Sequence, residues 1–290
     1  MKSKESMAST QKSKLDVFSV LNGIFFLITC VIIIIPLVKV FVDSIDAKAA
    51  YGMNLWPNEF SLSGYKLILS TVSLYKPFFI SCLVTVLGTC LGLLLSTLGA
   101  YVLIQFEMPG RTLFSYMLLF TMIFQAGMVP MYLNMKALGL TNTLWSIILP
   151  GGINIYNLIL MRNFFEGIPK SLFESAEIDG CTPMGIFIKI VLPLSKAALA
   201  SIGLMFAVAF WNEYTNFTIY INNSNIQNFQ VKLRSLILDD QSLAAATSAG
   251  IFQTTVKNAA IITAIIPPLV IYPICQKYFV TGINMGAVKE

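Results

Sequence analysis

Six long apolar stretches, separated by polar segments, constrain the fold of this 290-residue chain more than any other feature. A helix needs about 17–25 mostly apolar residues to cross ~30 Å of hydrocarbon at ~1.5 Å per residue. The stretches that meet this requirement are residues 18–41, 78–105, 113–130, 144–161, 192–211 and 256–279. Because backbone polar groups in hydrocarbon must be paired within the protein, the sequence predicts an all-α membrane protein with six transmembrane helices.

Charge composition supports the membrane class. Asp, Glu, Lys and Arg make up only 11% of the chain, against roughly 25% in a soluble domain, so soluble enzyme folds are excluded. His is absent, which removes the commonest general base and a favoured ligand of zinc and haem. The five Cys residues have no Cys-x-x-Cys spacing, so the sequence predicts neither a disulfide framework nor a bound metal.

The distribution of Lys and Arg predicts the orientation of the chain. Eleven of these residues lie in the N-terminal arm, at Arg111, in the segment 162–196 and in the C-terminal tail, whereas the alternate loops hold seven. Positive residues favour the cytoplasmic side, so we expect both termini to be cytoplasmic. The net charge of +5 follows from this bias, and no basic stripe interleaved with aromatic residues predicts binding to nucleic acid.

The N-terminal arm predicts a cytoplasmic tail over residues 1–16, followed by one membrane domain over residues 17–290. A secretory signal peptide also begins with basic residues before an apolar segment. Residues 18–41 are longer than the apolar core of ~7–15 residues in a signal peptide, so a retained first helix is favoured.

Small residues and helix breakers indicate how the predicted helices pack. Four small residues recur every three or four positions in the second stretch and mark a helix face that another backbone can approach closely. They are Gly88, Gly92, Ser96 and Gly99. Proline or glycine interrupts later stretches at positions 150–152, 267–268 and 273. Broken helices are tolerated at membrane depth where neighbours or a water-filled cavity satisfy the backbone, so these interruptions favour a pathway protein over a plain anchor.

The segment between the fourth and fifth stretches carries local helix signals. Ser171 and Glu174 have the spacing of a capping box, and Gly180 suits the left-handed residue that ends a helix. These residues predict a short helix over residues 172–179. Pro183 suits the first position of a second helix. A helix as short as the first one is marginal alone, so it needs a surface to dock against.

Two surfaces are compatible with this short helix. One is the lipid headgroup region, with the segment acting as a solvated connector. The other is a groove on a protein partner. The acids Glu174, Glu177 and Asp179 argue mildly against anionic lipid and favour a protein partner.

The spacing of residues in this segment carries a family resemblance. Residues 174–176 read Glu-Ser-Ala, Gly180 follows after three residues, Ile190 after nine more, and Leu-Pro occupies positions 192–193. This frame resembles the Glu-Ala-Ala loop of the inner-membrane permease subunits of bacterial ABC importers, with every spacing intact and Ser175 in place of one Ala. Residues 210–214 and 276–289 are similar to the maltose-type carbohydrate (CUT1) permeases, and residues 138–145 and 161–165 to their oligosaccharide branch.

The resemblance implies a type I ABC importer permease fold in a multi-pass protein of the bacterial cell membrane. In this family the loop, here residues 164–191, holds a coupling helix that docks on a cytoplasmic ATPase dimer. The chain has no Gly-x-x-x-x-Gly-Lys-Ser/Thr loop, so the separate ATPase would use ATP and Mg²⁺, and this subunit is expected to be noncatalytic and to bind no cofactor directly. The residues expected to form the coupling site are Leu172, Phe173, Glu174, Ser175, Ala176, Gly180, Ile190 and Pro193.

The resemblance also implies partners beyond the ATPase. These are a second homologous permease that would complete a heterodimer, an extracytoplasmic sugar-binding lipoprotein, a carbohydrate substrate and membrane lipids. The polar segment 215–255 is expected either to face the binding protein or to form a self-packed lid.

Polar and aromatic side chains within the apolar stretches indicate a possible sugar path, because such groups are costly in lipid unless they are paired or face water. Trp211 could instead anchor the chain at the membrane interface, and Asn154 and Asn157 could hydrogen-bond between helices. The path candidates are Gln125, Asn154, Tyr156, Asn157, Trp211 and Asn212.

An ATP-independent secondary carrier or channel is the alternative class. Such a protein would need an ionisable residue within the membrane to couple ions. The six stretches contain almost none beyond Lys39, which lies near the end of the first stretch. The sequence therefore favours the importer subunit.

Overall fold

The computed structural model describes residues 17–49, 52, 54–105, 108–238 and 252–287, and this part of the chain is almost entirely helical. Between α9 and α10 lies a π-helical turn, Phe187–Val191, and between α12 and α13 a 3-10 turn, Ser224–Ile226. Extended pairing within the described residues is limited to one β-bridge, Asp46 with Phe60. The helices are α1 (Val17–Ser44), α2 (Ser63–Ser70), α3 (Val72–Ile104), α4 (Arg111–Ile123), α5 (Met128–Ala137), α6 (Trp145–Gly152), α7 (Ile155–Glu166), α8 (Lys170–Ile178), α9 (Pro183–Ile186), α10 (Leu192–Leu194), α11 (Lys196–Trp211), α12 (Thr215–Tyr220), α13 (Phe229–Leu238) and α14 (Gln253–Ala287).

Three of the described helices are long and apolar enough to cross a membrane: they cover Phe18–Ser44, Val72–Ile104 and Gln253–Gln276. Two bent helix pairs raise the number of candidate spans to five. The pair α4 and α5 bends by 113°, and the pair Pro183–Leu194 and Lys196–Trp211 bends by 81°. The six-span count stays a prediction.

The predicted fourth span, residues 144–161, is divided between α6 and α7, and neither helix is long enough to cross alone. The division follows from local chemistry. Pro150 lies inside α6, and the chain leaves the helix at Ile153, which is extended. Asn154 then begins a new helix by accepting a hydrogen bond from the backbone N–H of Asn157 at 3.0 Å. This side-chain cap pairs one of the N–H groups that a helix start leaves unsatisfied.

Helix α3 lies at the centre of the bundle and contacts α2, α6, α7, α11 and α13. Its small residues receive aromatic side chains from α11. A Cβ atom on Gly88 would come within 2.5 Å of the Phe210 ring, and one on Gly92 within 2.7 Å of the Phe206 ring. Gly151 of α6 lies against the same Phe210 ring. The small-residue face of α3 therefore makes close contacts, but with side chains of neighbouring helices rather than with the backbone that the sequence predicted.

Helix α1 lies at the edge of the bundle, contacts α14, and presents most of its apolar side chains outward. Polar contacts hold its C-terminal end to the rest of the fold. Lys39 pairs with Asp43 at 2.5 Å, and the Ser44 and Tyr65 hydroxyl groups lie 2.7 Å apart. Asn258 of α14 donates a hydrogen bond to the second Asp43 oxygen at 3.4 Å.

The segment after α1 folds around the buried carboxylate of Asp46. This carboxylate accepts hydrogen bonds from the backbone N–H groups of Asn58 at 2.8 Å, Lys48 at 2.9 Å and Glu59 at 3.1 Å. Burial alone would raise the pKa of Asp46, but the hydrogen bonds from Asn58, Lys48 and Glu59 outweigh burial and hold this pKa below its ordinary value of 3.8. The Asp46 carbonyl also accepts a hydrogen bond from the Thr255 hydroxyl at 2.7 Å, which ties the segment to α14.

Adding side-chain volume at Gly88 should destabilise the bundle. In Gly88→Val the new methyl groups meet the Phe210 ring, which has little room to move because Gly151 also lies against it. We expect a loss of about 1–3 kcal/mol in the free energy of unfolding, measured as a lower apparent melting temperature in detergent. The control Gly23→Val adds the same side chain where no atom lies within 4 Å of the new Cβ. Equal losses in both variants would contradict the close contact.

Replacing the Asp46 carboxylate should make the protein less stable at neutral pH. In Asp46→Asn one carboxylate oxygen is replaced by an N–H₂ group, which cannot accept a hydrogen bond from the backbone N–H groups around it. The melting temperature should therefore fall at about pH 7. Because the folded pKa of Asp46 lies below 3.8, its contribution is present above that value and is lost as the pH falls through the folded pKa. The difference between wild type and variant should therefore shrink in acid. Asp179→Asn, at an exposed acid, is the control, and a pH-independent difference at Asp46 would contradict the assignment.

Candidate functional site

The helix predicted over residues 172–179 exists, as α8, but it starts earlier than expected. It begins at Lys170, directly after Pro169, and no side chain caps its first turn. The predicted capping box of Ser171 and Glu174 was wrong. Pro169, with a φ of −57° and a ψ of 129°, occupies the N-cap position, so Ser171 falls inside the first helical turn rather than at the cap.

The end of α8 matches the prediction. Gly180 adopts a left-handed φ of 76°, which a residue with a side chain rarely takes. The Cys181 N–H donates to the Ala176 carbonyl at 2.9 Å, and the Gly180 N–H donates to the Glu177 carbonyl at 3.0 Å. These two bonds form a Schellman motif, which pairs carbonyl groups that the helix end would leave free.

The second half of the loop begins as predicted and then departs from regular α-helix. Thr182 caps α9 by accepting a hydrogen bond from the Gly185 N–H at 3.2 Å, with Pro183 in the first helical position. The Leu192 N–H donates to the Phe187 carbonyl, five residues earlier, which defines the π-helical turn. Pro193 lacks an N–H and cannot continue α-helical bonding here. The chain then turns by 81° into α11.

Helix α8 has an inner face and an outer face. Ala176 is only 6% exposed, and Phe173 is partly buried against the core. The outer face presents Leu172 together with the acids at positions 174, 177 and 179 and Ser175. Ile190, in the π-helical turn, is partly buried against the core. Of the predicted coupling residues, Leu172, Glu174 and Ser175 are therefore exposed at the surface. Phe173, Ala176 and Ile190 pack against the core and support them.

Ile178 was not among the residues predicted from the sequence. Its side chain is 87% exposed, although it is large and apolar. The available signal was an apolar residue placed directly before the Asp-Gly helix end, on the same helix as three acids. Ile178 and the exposed Leu172 together give α8 apolar surface beside its acids.

Tyr101 of α3 also escaped sequence analysis, because its partners lie more than 80 residues away. Its hydroxyl donates a hydrogen bond to the Pro183 carbonyl at 2.8 Å, and its ring lies 5.0 Å from the Phe187 ring, centroid to centroid. Tyr101 is buried. It therefore connects the loop directly to the central helix.

A charged cluster holds the start of the loop to α4. Glu166, at the end of α7, forms ion pairs with Arg162 at 2.9 Å and with Arg111 at 3.2 Å. The Arg111 side chain also donates to the Leu103 carbonyl, at the end of α3, at 2.6 Å. The ends of α3, α4 and α7 are thus joined immediately before α8.

The six path candidates lie in three separate places. Gln125 is exposed in the break between α4 and α5. Asn154 caps α7, Asn157 is buried, and Tyr156 is exposed beside them. Their part in a sugar path stays a prediction, and the Asn154 side chain already has a structural role as a helix cap.

The remaining two candidates lie at the end of α11. Trp211 is only 4% exposed, and its indole N–H donates to the Ala264 carbonyl at 3.0 Å. Its ring packs edge-on against Phe78. Trp211 is therefore a buried contact between α3, α11 and α14 rather than an interfacial anchor. Asn212 is exposed, and its amide donates to the Val208 carbonyl at 3.0 Å.

Asn212 also lines an open cleft between the end of α11, α13 and α14, with a volume of about 580 Å³. Within the described part of the chain, Cys, Asp and Glu side chains form no group of three that could hold a metal ion. The cleft is lined by Asn212, Gln230, Leu233, Ile261, Ala264, Ile265, Pro268, Leu269, Tyr272 and Pro273.

The structure has apolar helices of membrane length, an interrupted bundle with a cleft, and a structured polar loop, and these features define a helical membrane protein. The comparisons with known proteins agree. The chain is 40% identical over 271 residues to YtcP, a permease protein of the polygalacturonan/rhamnogalacturonan transport system of Bacillus subtilis, covering 92% of this chain and 95% of YtcP. It is 38% identical to LplC of the same organism, covering 94% and 95% of the two chains. No protein-family model matches the chain.

A solved structure gives the same result for the fold. A chain of a bacterial ABC transporter involved in import of the acidic polysaccharide alginate superposes with a TM-score of 0.86 at 32% identity, covering 93% of this chain and 99% of that one. The chain belongs to the sugar permease family of bacterial ABC transporters. It is a multi-pass protein of the bacterial inner membrane, and its relatives are transport permeases rather than enzymes.

Removing the Tyr101 hydroxyl should loosen the loop without unfolding the bundle. Tyr101→Phe keeps the ring contact with Phe187 but loses the bond to the Pro183 carbonyl. We expect amide hydrogen exchange in residues 184–191 to accelerate about fivefold, with exchange in α3 unchanged. Tyr116→Phe, at an exposed tyrosine of α4, is the matched control. Unchanged exchange in the loop would show that Tyr101 does not hold it.

Proposed function

We propose that the chain is the permease subunit of an ATP-driven, binding-protein-dependent oligosaccharide importer, and that a separate ATPase acts on it through α8. The observation that carries the proposal is the construction of the 164–191 loop. One face of α8 is exposed and acidic, and the exposed Ile178 is the last residue of the helix. The other face packs against the core through Ala176. Membership of the ABC permease family supports the same role.

The outer face of α8 has the features of a helix that docks in a protein groove. Leu172 and Ile178 supply exposed apolar area, and Glu174, Ser175 and Asp179 surround it with polar groups. A groove with an apolar floor and a basic rim would complement this face. Anionic lipid headgroups would be repelled by the same acids.

The inner side of the loop is suited to passing movement into the bundle. The Schellman motif at Gly180 fixes the end of α8, and Tyr101 joins the following turn to α3. The Arg162, Arg111 and Glu166 cluster joins the preceding turn to α4. A force applied to α8 is therefore transmitted to α3, α4 and α7 through short hydrogen bonds and ion pairs. Such direct connections are what a rigid-body motion requires.

The remaining assembly follows the family. A second homologous permease would complete the translocation path, an ATPase dimer using ATP and Mg²⁺ would drive it, and an extracytoplasmic sugar-binding protein would deliver cargo. We further propose six spans with both termini in the cytoplasm, the bent pairs and the α6–α7 segment completing the three long helices. In this arrangement residues 17–290 form one membrane domain, while the tail predicted over residues 1–16 lies outside the described residues.

The cargo we propose is an oligosaccharide, and fragments of acidic polysaccharides are the first class to test. The relative YtcP belongs to a polygalacturonan/rhamnogalacturonan transport system, and the superposed structure belongs to an alginate importer. An ATP-independent carrier has less support, because the superposed structure, at 32% identity, is a chain of an ABC transporter.

A charge at the tip of α8 should uncouple the ATPase without unfolding the permease. Ile178→Glu changes a side chain that is 87% exposed, so the melting temperature should stay within about one degree of wild type. We expect co-purification of the ATPase, and transport-dependent ATP hydrolysis, to fall at least about tenfold. Leu55→Glu, at an exposed leucine far from the loop in sequence, is the matched control.

Crosslinking distinguishes a protein partner from a lipid surface. A photoreactive group attached to Ser175→Cys should label the ATPase in the assembled complex. Labelling of phospholipid alone, or normal coupling in Ile178→Glu, would contradict the docking role of α8. Gly180→Pro should also abolish uptake, because proline fixes φ near −65° and cannot take the left-handed conformation found here.

A further inference from the structure

We propose that the cleft beside the proline-containing part of α14 is a saccharide subsite within this subunit, and that Gln230 and Tyr272 bind the sugar there. This inference rests on the proposed function as an oligosaccharide importer. Sequence analysis assigned Asn212 to a possible path but neither of the other two residues. The three side chains come from α13, α14 and the end of α11, and line one cleft.

The cleft exists because α14 is interrupted by prolines. Pro268 has no N–H to donate to the Ala264 carbonyl four residues earlier, and the Trp211 indole N–H takes its place at 3.0 Å. Pro273 likewise cannot donate to the carbonyl of Leu269, and both residues line the cleft. An interrupted helix at membrane depth is tolerated where its backbone lines a cavity that holds water or a polar ligand.

The polar groups of the cleft match the hydroxyl groups of a sugar. Asn212 uses its N–H₂ group on the Val208 carbonyl, which leaves its side-chain oxygen as an acceptor. The Gln230 amide makes no hydrogen bond within the part of the chain that the structure describes, and it can both donate and accept. Tyr272 is 56% exposed and adds a phenol group.

The walls of the cleft match the C–H faces of a pyranose ring. Leu233, Ile261 and Ile265 form apolar walls, and the Tyr272 ring offers an aromatic face. The volume of about 580 Å³ lies within the range of small-molecule sites, and the cleft is open on one side, as a passing chain requires. A lipid chain would give no hydrogen-bond partner to the Asn212 oxygen, the Gln230 amide or the Tyr272 hydroxyl, so a hydroxylated ligand is favoured.

The first test measures binding by the purified complex of both permeases and the ATPase, without the binding protein. The probe is tetragalacturonate, and affinity is measured by calorimetry. Gln230→Leu should weaken binding about five- to tenfold, the range expected for loss of a hydrogen bond to the ligand. The matched control, Gln227→Leu, removes the same amide three residues away and outside the cleft, and should bind as wild type does. Wild-type affinity in Gln230→Leu would overturn the proposal.

The second test measures access to the cleft in the same complex, in a background with the five native cysteines replaced by serine. A cysteine in Leu269→Cys, on the exposed lining of the cleft, should react with a water-soluble maleimide, and tetragalacturonate should slow that reaction. Ile274→Cys, exposed on α14 but outside the cleft lining, should show no such protection. Absence of protection, or reaction only in the isolated subunit because the second permease covers the cleft, would overturn the subsite.

The two proposals can fail separately. If vesicles holding the wild-type complex with its binding protein do not accumulate tetragalacturonate, the proposed cargo is wrong and the subsite assignment fails with it. If these vesicles accumulate the sugar while Gln230→Leu and Leu269→Cys behave as their controls do, the subsite is wrong and the importer function stands.

Discussion

The pairing of backbone polar groups in an apolar environment is the constraint on which this structure depends. An unpaired N–H or carbonyl in hydrocarbon costs several kcal/mol, so each interruption of a helix must be matched by a local substitute. At three places the chain supplies a different one. Asn154 caps α7, the Schellman motif at Gly180 ends α8, and the Trp211 indole replaces the N–H that Pro268 lacks. At these three places a side chain or a turn pairs the backbone groups that the break leaves free.

The same interactions give the 164–191 loop a definite shape. A nine-residue helix such as α8 would be marginal in isolation, yet here both of its ends are held. Glu166 ties the preceding turn to α4, and Tyr101 ties the following turn to α3. The loop is consequently an extension of the bundle, and the side chains it leaves outward, above all Ile178, are free to meet a partner.

Local signals in the sequence predicted what depends on local chemistry. Apolar length identified the membrane class, small residues marked the close face of α3, and Gly180 was recognised as a helix end. Features that depend on distant residues were not predictable. The bond from Trp211 to Ala264 joins residues 53 positions apart, so a tryptophan predicted to line a path or to anchor at the membrane interface is instead buried between helices. Ser171 had the spacing of a cap, but the fixed geometry of Pro169 started the helix first.

The Phe210 ring between Gly88 of α3 and Gly151 of α6 has an evolutionary consequence. No side-chain carbon fits at either glycine while the ring keeps its place. A methyl group gained at one of the glycines therefore requires volume to be lost at position 210. Residues 88, 151 and 210 should therefore covary among aligned sequences of the family, because a larger residue at either glycine position requires a smaller one at position 210.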